Sequence, residues 1–209
     1  MDGHKDIDRA MLLEAFDRLG NAAAEHGTMI DIVVYGGSAL MFASNFRFAT
    51  GDVDIAPLGD NKPDWFDAVV ARIALELGFK EGEDWLNDAV DFHLSRLATR
   101  QADHWEYGTF PRTGDTAGLR VYVPTAEYML ALKLKAMRVL DPSKGEQETN
   151  DIQKLLRVND IADIDAAMNI LGKYFPMSAK HDDKRFLLQQ LFSFDKEDGD
   201  APVYPARTL

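Results

Sequence analysis

Hydrophobic and polar positions divide the chain into a mixed first part and a helical last part. Over residues 8–26, Met11, Leu12, Ala15, Phe16, Leu19, Ala22 and Ala23 recur at the spacing of one helical stripe, and Gly27 is a natural stop. Residues 30–35 form a short apolar run that reads as a buried strand. Residues 38–46 carry apolar side chains at roughly helical spacing, with Ser38 placed to cap one or two turns. Residues 52–56 read as a second strand beside the first, parallel or antiparallel. A helix is expected over 63–77, with Pro63 near its first turn and Gly78 at its end. Residues 79–99 show no clean period: an acidic loop, then Trp85-Leu86-Asn87-Asp88, then a stretch compatible with strand or helix. Aromatic content over 104–110 and alternation over 119–123, joined by a turn-rich segment, predict a hairpin.

From Pro124 the period becomes helical. Thr125 can cap a helix over 126–140, and Asp141 to Gly145 is a break. Further helices are expected over about 148–157, 163–174 and 179–193, separated at Asn159-Asp160 and Pro176. The polar tail from Asp195, with two prolines, is expected to be loosely held. The predicted fold class is α+β: a small mixed sheet flanked by helices over residues 1–123, then a helical region over 124–209 packed on it as one compact unit.

Composition narrows the function classes. The 209 residues are 46% hydrophobic and 10% aromatic, enough for a core. No cysteine is present, which excludes disulfides, thiolate metal sites and a cysteine nucleophile. No apolar run is long enough to span a bilayer, and the charged start MDGHKDIDRA lacks the apolar core of a signal peptide, so the expectation is a cytoplasmic protein with no membrane partner. A formal net charge of −12 argues against tight non-specific DNA binding, which draws on Lys and Arg releasing counterions. A local basic groove, or an anionic substrate held through a divalent metal, stays compatible with that charge.

The candidate chemistry concentrates in residues 31–55. An apolar strand runs into Gly36-Gly37-Ser38, and Asp52-Val53-Asp54 follows a dozen residues later. Two carboxylates two apart on a strand share one face. Such a pair suits Mg²⁺ or Mn²⁺, which takes one or two carboxylates together with substrate phosphates. The amides of Gly37 and Ser38 at a helix start suit a triphosphate, with Gly36 permitting close approach. Thr50 reads equally as a phosphate contact or a turn cap.

This order of motifs resembles the signature of the DNA polymerase beta-like nucleotidyltransferase superfamily. Trp85-Leu86-Asn87-Asp88, LRVYVPTAEYMLALKLKAMR (119–138) and Asp151-Ile152 further resemble an uncharacterised bacterial branch, one similar to the nucleotidyltransferase toxins of type IV toxin–antitoxin (abortive infection) systems. The resemblance covers about residues 30–157. It implies a metal-dependent transfer of a nucleoside monophosphate from an NTP to an acceptor hydroxyl on RNA (such as a tRNA end), protein or a small molecule, and a cognate antitoxin as a partner. It also implies active-site roles for a lysine after the last strand, Lys133 or Lys135 with Lys133 favoured, and for Asp151. The superfamily commonly carries a third carboxylate on a later strand. Asp88, Asp91 and Asp103 are the candidates here, and Asn87, Asp88 and Asp91 are the side chains expected to reach a cleft. If that carboxylate is missing, the alternative is a nucleotide- or partner-binding module that keeps the fold without catalysis.

Each feature also has a plainer reading. Lys133 could be a snorkelling surface lysine. Asp151 could sit in the first turn of its helix, where a carboxylate favours the dipole. Trp85 most often serves core packing. The five histidines lack ligand spacing, so they are read as structural or surface residues and no zinc site is expected. Arg47, Arg96, Arg100 and Arg112 read as ordinary surface charges or as a basic rim, and Arg138 as a partner for an acid of the next helix.

Overall fold

The computed structural model describes residues 6–57, 62–114, 116–137, 140–143, 145–193 and 201–206. Arg138, His4 and most of the tail lie outside the described residues.

The first strand, β1 (Ile7–Asp8), leads directly into α1 (Arg9–Glu25), whose cap is Asp8 accepting the Met11 amide at 2.9 Å. The buried stripe of α1 is the one its sequence period predicts, with Leu13 and Gly20 added and Met11 only half-buried at its edge. Next come β2 (Ile30–Val34), α2 (Gly36–Ala43), β3 (Ala49–Thr50) and β4 (Val53–Pro57). Strands β1 and β3 pair antiparallel as a small separate ribbon that ties the chain start to the segment before Asp52. Helix α3 (Phe66–Leu77) ends at Gly78, held at φ 70° in the left-handed region. The ambiguous stretch that follows is neither one strand nor one helix. It consists of a 3-10 turn, a two-residue strand β5 (Leu86–Asn87) and a second 3-10 turn over Ala89–His93. Trp85 packs in the core and donates its indole N–H to Val70 O at 3.0 Å.

After the short helix α4 (Arg100–Asp103), β6 (His104–Phe110) and β7 (Leu119–Pro124) form the expected antiparallel hairpin. The main sheet has strand order β5-β4-β2-β7-β6. Within it β4 runs antiparallel to β2, while β7 runs parallel to β2 and β5 parallel to β4. The fold is therefore mixed α+β, as the sequence implies. Residues alternate across the sheet: Ile32, Val34 and Ile55 face one side, and Tyr35 and Asp54 face the other.

Helix α5 (Ala126–Ala136) has Thr125 as its cap, bonded to the Tyr128 amide, and stops four residues short of the expected end because Met137 enters the left-handed region at φ 35°. Helices α6 (Gly145–Val158), α7 (Ile164–Tyr174) and α8 (Asp182–Ser193) complete the helical part. Packing of α5 on α6 and α7, and of α8 on α6 and α7, closes their apolar faces. Among the described residues, no helix is long and apolar enough to cross a membrane.

Two expectations are corrected. Ser38 does not cap α2: the helix begins two residues earlier, after extended Tyr35, and the Ser38 hydroxyl donates instead to Asp52 O at 2.8 Å. Residues 201–206 of the tail are not loosely held. Asn45 pairs with them at two points, Nδ2 to Ala201 O and Oδ1 to the Val203 amide; the Ala206 amide bonds Ala43 O, and the Tyr204 hydroxyl bonds Pro124 O. Polar composition concealed this strap because its anchors are backbone groups and one tyrosine.

Candidate functional site

The glycine pair and the acidic strand meet through contacts that exclude side chains. Gly36 sits at φ 62°, and a Cβ there would lie 2.7 Å from Asp54 Oδ2. A Cβ on Gly37 would lie 2.9 Å from a terminal nitrogen of Arg47 and 3.2 Å from the Thr50 hydroxyl. Each glycine thus seats a neighbouring polar side chain directly against the backbone. Tyr35 N–H donates to Asp54 O, which fixes the turn to the strand. The first helical bond of α2 runs from the Ala39 amide to Tyr35 O, so the amides of Gly37 and Ser38 precede the ladder at the positive end of the helix.

The loop carrying Asp52 is braced from two sides, since Ser38 and Thr50 hydroxyls both donate to Asp52 O, at 2.8 and 2.9 Å. Asp52 itself lies one residue before β4 and is exposed, whereas Asp54 is within the strand and half-buried.

The helical part supplies the opposite wall. Lys133 on α5 is 9% exposed, and its ammonium bonds Glu148 Oε2 at 2.9 Å and Asp151 Oδ2 at 3.0 Å. Arg47 Nη1 donates to the same Asp151 oxygen at 3.2 Å. Two cations and two carboxylates thereby form a buried, charge-balanced group linking Gly37, through Arg47, to α5 and α6. Helix α6 starts at Gly145, so Asp151 is in its interior; it is 1% exposed and does not belong to a first turn.

A cleft of about 530 Å³ lies between these walls. Asp54, Tyr35 and Gly36 face it from the sheet, Lys133, Lys135 and Glu148 from the helices, and Val90, Met129 and Leu132 give it apolar surface. The Tyr35 hydroxyl is 3.0 Å from His104 Nε2, and His104 Nδ1 is 3.1 Å from Thr99 O. A carbonyl only accepts, so Nδ1 carries the proton and Nε2 accepts from Tyr35. Burial pushes the His104 pKa down and the Tyr35 pKa up, so both stay neutral near pH 7. Lys135 is pinned to His93 O at 2.6 Å and lies over the Phe175 ring, and burial lowers its pKa.

Gly36, Asp54 and Lys133 thus share one cleft; Asp52, Gly37, Ser38, Thr50 and Asp151 do not line it, and Gly37, Ser38, Thr50 and Asp151 stand behind it as supports. The remaining candidates lie elsewhere. Asn87 is level with Asp54 in the β4–β5 ladder, but its side chain accepts the Ala89 amide, and Asn87 and Asp88 line a separate cavity of about 370 Å³ with Ile32, Ile55 and Phe66. Asp91 is exposed on the 3-10 turn and does not line the cleft. Asp103 is buried and occupied by the Thr99 amide and the Tyr174 hydroxyl, both at 2.6 Å. Asn87, Asp88, Asp91 and Asp103 are therefore set aside as cleft residues.

Sequence reasoning missed two members. Arg47, read as a surface charge or basic rim, is a half-buried partner of Asp151. Glu148 went unmarked, although it lies three residues before Asp151 on the same face of α6, a spacing already present in the helix expected over about 148–157. Among the described residues, no group of three or more His, Cys, Asp or Glu side chains is arranged as an all-protein metal cage. Asp54 brings one carboxylate to the cleft, and Asp52 stands two residues before it at the strand end, outside the cleft lining.

No protein-family model matches the chain, and neither a curated protein nor a solved structure matches it.

Proposed function

We propose that this protein is a nucleotidyltransferase that moves a nucleoside monophosphate from an NTP to an acceptor hydroxyl on RNA, protein or a small molecule. The observation that carries the reading is the shared cleft: Gly36 and Asp54 from the sheet face Lys133 from the helices across about 530 Å³. The order of Gly-Gly-Ser and Asp-x-Asp along the chain, which resembles the nucleotidyltransferase signature, supports the same reading.

The N-terminus of α2, which meets the cleft at Gly36 and carries the amides of Gly37 and Ser38 behind it, would favour the triphosphate, since the first N–H groups of a helix favour anions. Asp52 and Asp54 would hold Mg²⁺ or Mn²⁺ together with the phosphates. When bound, the ion supplies Lewis-acid stabilisation of the charge that develops on the leaving pyrophosphate. Lys133 stands ready to neutralise phosphate charge and is aimed by Glu148 and Asp151. Arg47 holds Asp151 in place and keeps the glycine turn and the helical wall in register. Tyr35 and the apolar side chains Val90, Met129 and Leu132 would contact the nucleoside. The resemblance to toxins of toxin–antitoxin pairs makes a toxin role, with a cognate antitoxin protein, part of this proposal.

The absence of a three-ligand metal group among the described residues favours a second reading, a module of the same fold that binds nucleotide without turnover. One experiment separates the two. The protein is incubated with each α-labelled NTP, Mg²⁺ and pools of RNA and of protein. Label transfer that disappears in Asp54→Ala supports the enzyme. Saturable NTP binding with no transfer to any pool supports the module. Transfer by Asp52→Ala/Asp54→Ala equal to wild type would refute the site.

A further inference from the structure

We infer that Glu148 is the proton acceptor of the cleft, the group that takes the proton from the hydroxyl attacking the α-phosphorus. The inference rests on the nucleotidyl-transfer reading above. Glu148 lines the cleft that also holds Asp54, is 5% exposed, and has one oxygen tied to Lys133 at 2.9 Å. Its other oxygen, Oε1, is buried and has no hydrogen-bond partner among the described residues. A carboxylate oxygen that has lost water and gained no donor is a costly state, relieved when a ligand brings an O–H to it. Lys133 fixes the carboxylate through Oε2, so Oε1 is held in a defined position just beneath the surface of a residue that lines the cleft.

The alternatives are already engaged. Asp151 is 1% exposed, does not line the cleft, and its Oδ2 accepts from both Lys133 and Arg47. The Tyr35 hydroxyl is bonded to His104. Lys135 donates to a backbone carbonyl. His93 also lines the cleft and is the rival to be tested.

In the proposed step the hydroxyl oxygen forms a bond to the α-phosphorus while its proton passes to Glu148 Oε1. The bond from the α-phosphorus to the bridging oxygen breaks, and its electron pair leaves with pyrophosphate. The proton then passes from Glu148 to solvent. Water in place of the acceptor follows the same balance and gives a nucleoside monophosphate and pyrophosphate.

The test compares wild type, Glu148→Gln, Glu148→Asp and His93→Gln. Transfer to bulk RNA and protein is measured beside NTP hydrolysis with water as acceptor, and Mg–NTP binding is followed by calorimetry. Glutamine keeps the size of the side chain and its bond from Lys133 but cannot take the proton. Glu148→Gln should lose about 100-fold or more in both rates, the span of a general base, with NTP affinity kept within about threefold. Glu148→Asp should retain part of the rate, and His93→Gln nearly all of it. If Glu148→Gln does not fold, Glu148→Asp carries the test: a rate equal to wild type overturns the assignment. An active wild type with an equally active Glu148→Gln, a His93→Gln that is the inactive one, or a Glu148→Gln that loses NTP affinity in step with rate also overturns it. A wild type that neither transfers nor hydrolyses sinks the nucleotidyl-transfer reading and Glu148's role with it.

Discussion

Gly36 and Gly37 each stand where a Cβ would displace a polar partner, and that is why the turn is glycine twice. Gly36→Ala would place a methyl group 2.7 Å from Asp54 Oδ2 on a backbone at φ 62°. It should destabilise by about 1–2 kcal/mol from the left-handed backbone alone, and it should also weaken Mg–NTP binding by displacing Asp54; urea unfolding and calorimetry measure the two separately. His104 gives a second test at this scale. Its pKa is lowered by burial, so the unfolded chain takes up a proton below about pH 6.5 that the folded chain refuses. Stability should therefore fall as pH drops from 7.5 through about 6.5 and level off once folded His104 also protonates. His104→Gln should flatten that slope in melting curves recorded across the range. Residue-scale legibility was uneven for a physical reason. Gly36, Asp54 and Lys133 belong to short motifs whose spacing has a chemical meaning. Arg47 acquires meaning only from Asp151, 104 residues away, which no local pattern carries, and Glu148 takes its meaning from Lys133, 15 residues earlier on another helix.

Elements with a sustained period were legible, and elements of two or three residues were not. Helices α1, α3, α5 and α7 follow their apolar spacing and caps, and the β6–β7 hairpin follows its alternation. Strands β1, β3 and β5 have two residues each, too few for any period, and exist only through their partners. The same holds for the 201–206 strap, which joins the end of α2 to the start of α5. Tyr204→Phe removes the hydroxyl that bonds Pro124 O and should lower stability by about 1 kcal/mol. Urea midpoints at constant m-value would show it, and a change below measurement error would mean the strap does not hold these elements together.

At the scale of the molecule, the cleft exists because the sheet's Asp54 face and the α5–α6 pair meet around a buried charge group. Lys133 is its centre. Lys133→Met leaves Glu148 and Asp151 with less charge compensation and should cost about 3–5 kcal/mol, the usual penalty for breaking a buried pair. Lys133→Met/Glu148→Gln should recover part of that loss, because a neutral amide needs no cation.

The central claim is that this cleft holds a metal-bound triphosphate, and calorimetric titration with each NTP in the presence of Mg²⁺ tests it most directly. Wild type should show saturable binding, weakened at least tenfold in Asp54→Asn under conditions where both proteins are folded. No saturable binding of any NTP, or equal affinity in wild type and Asp54→Asn, would contradict it.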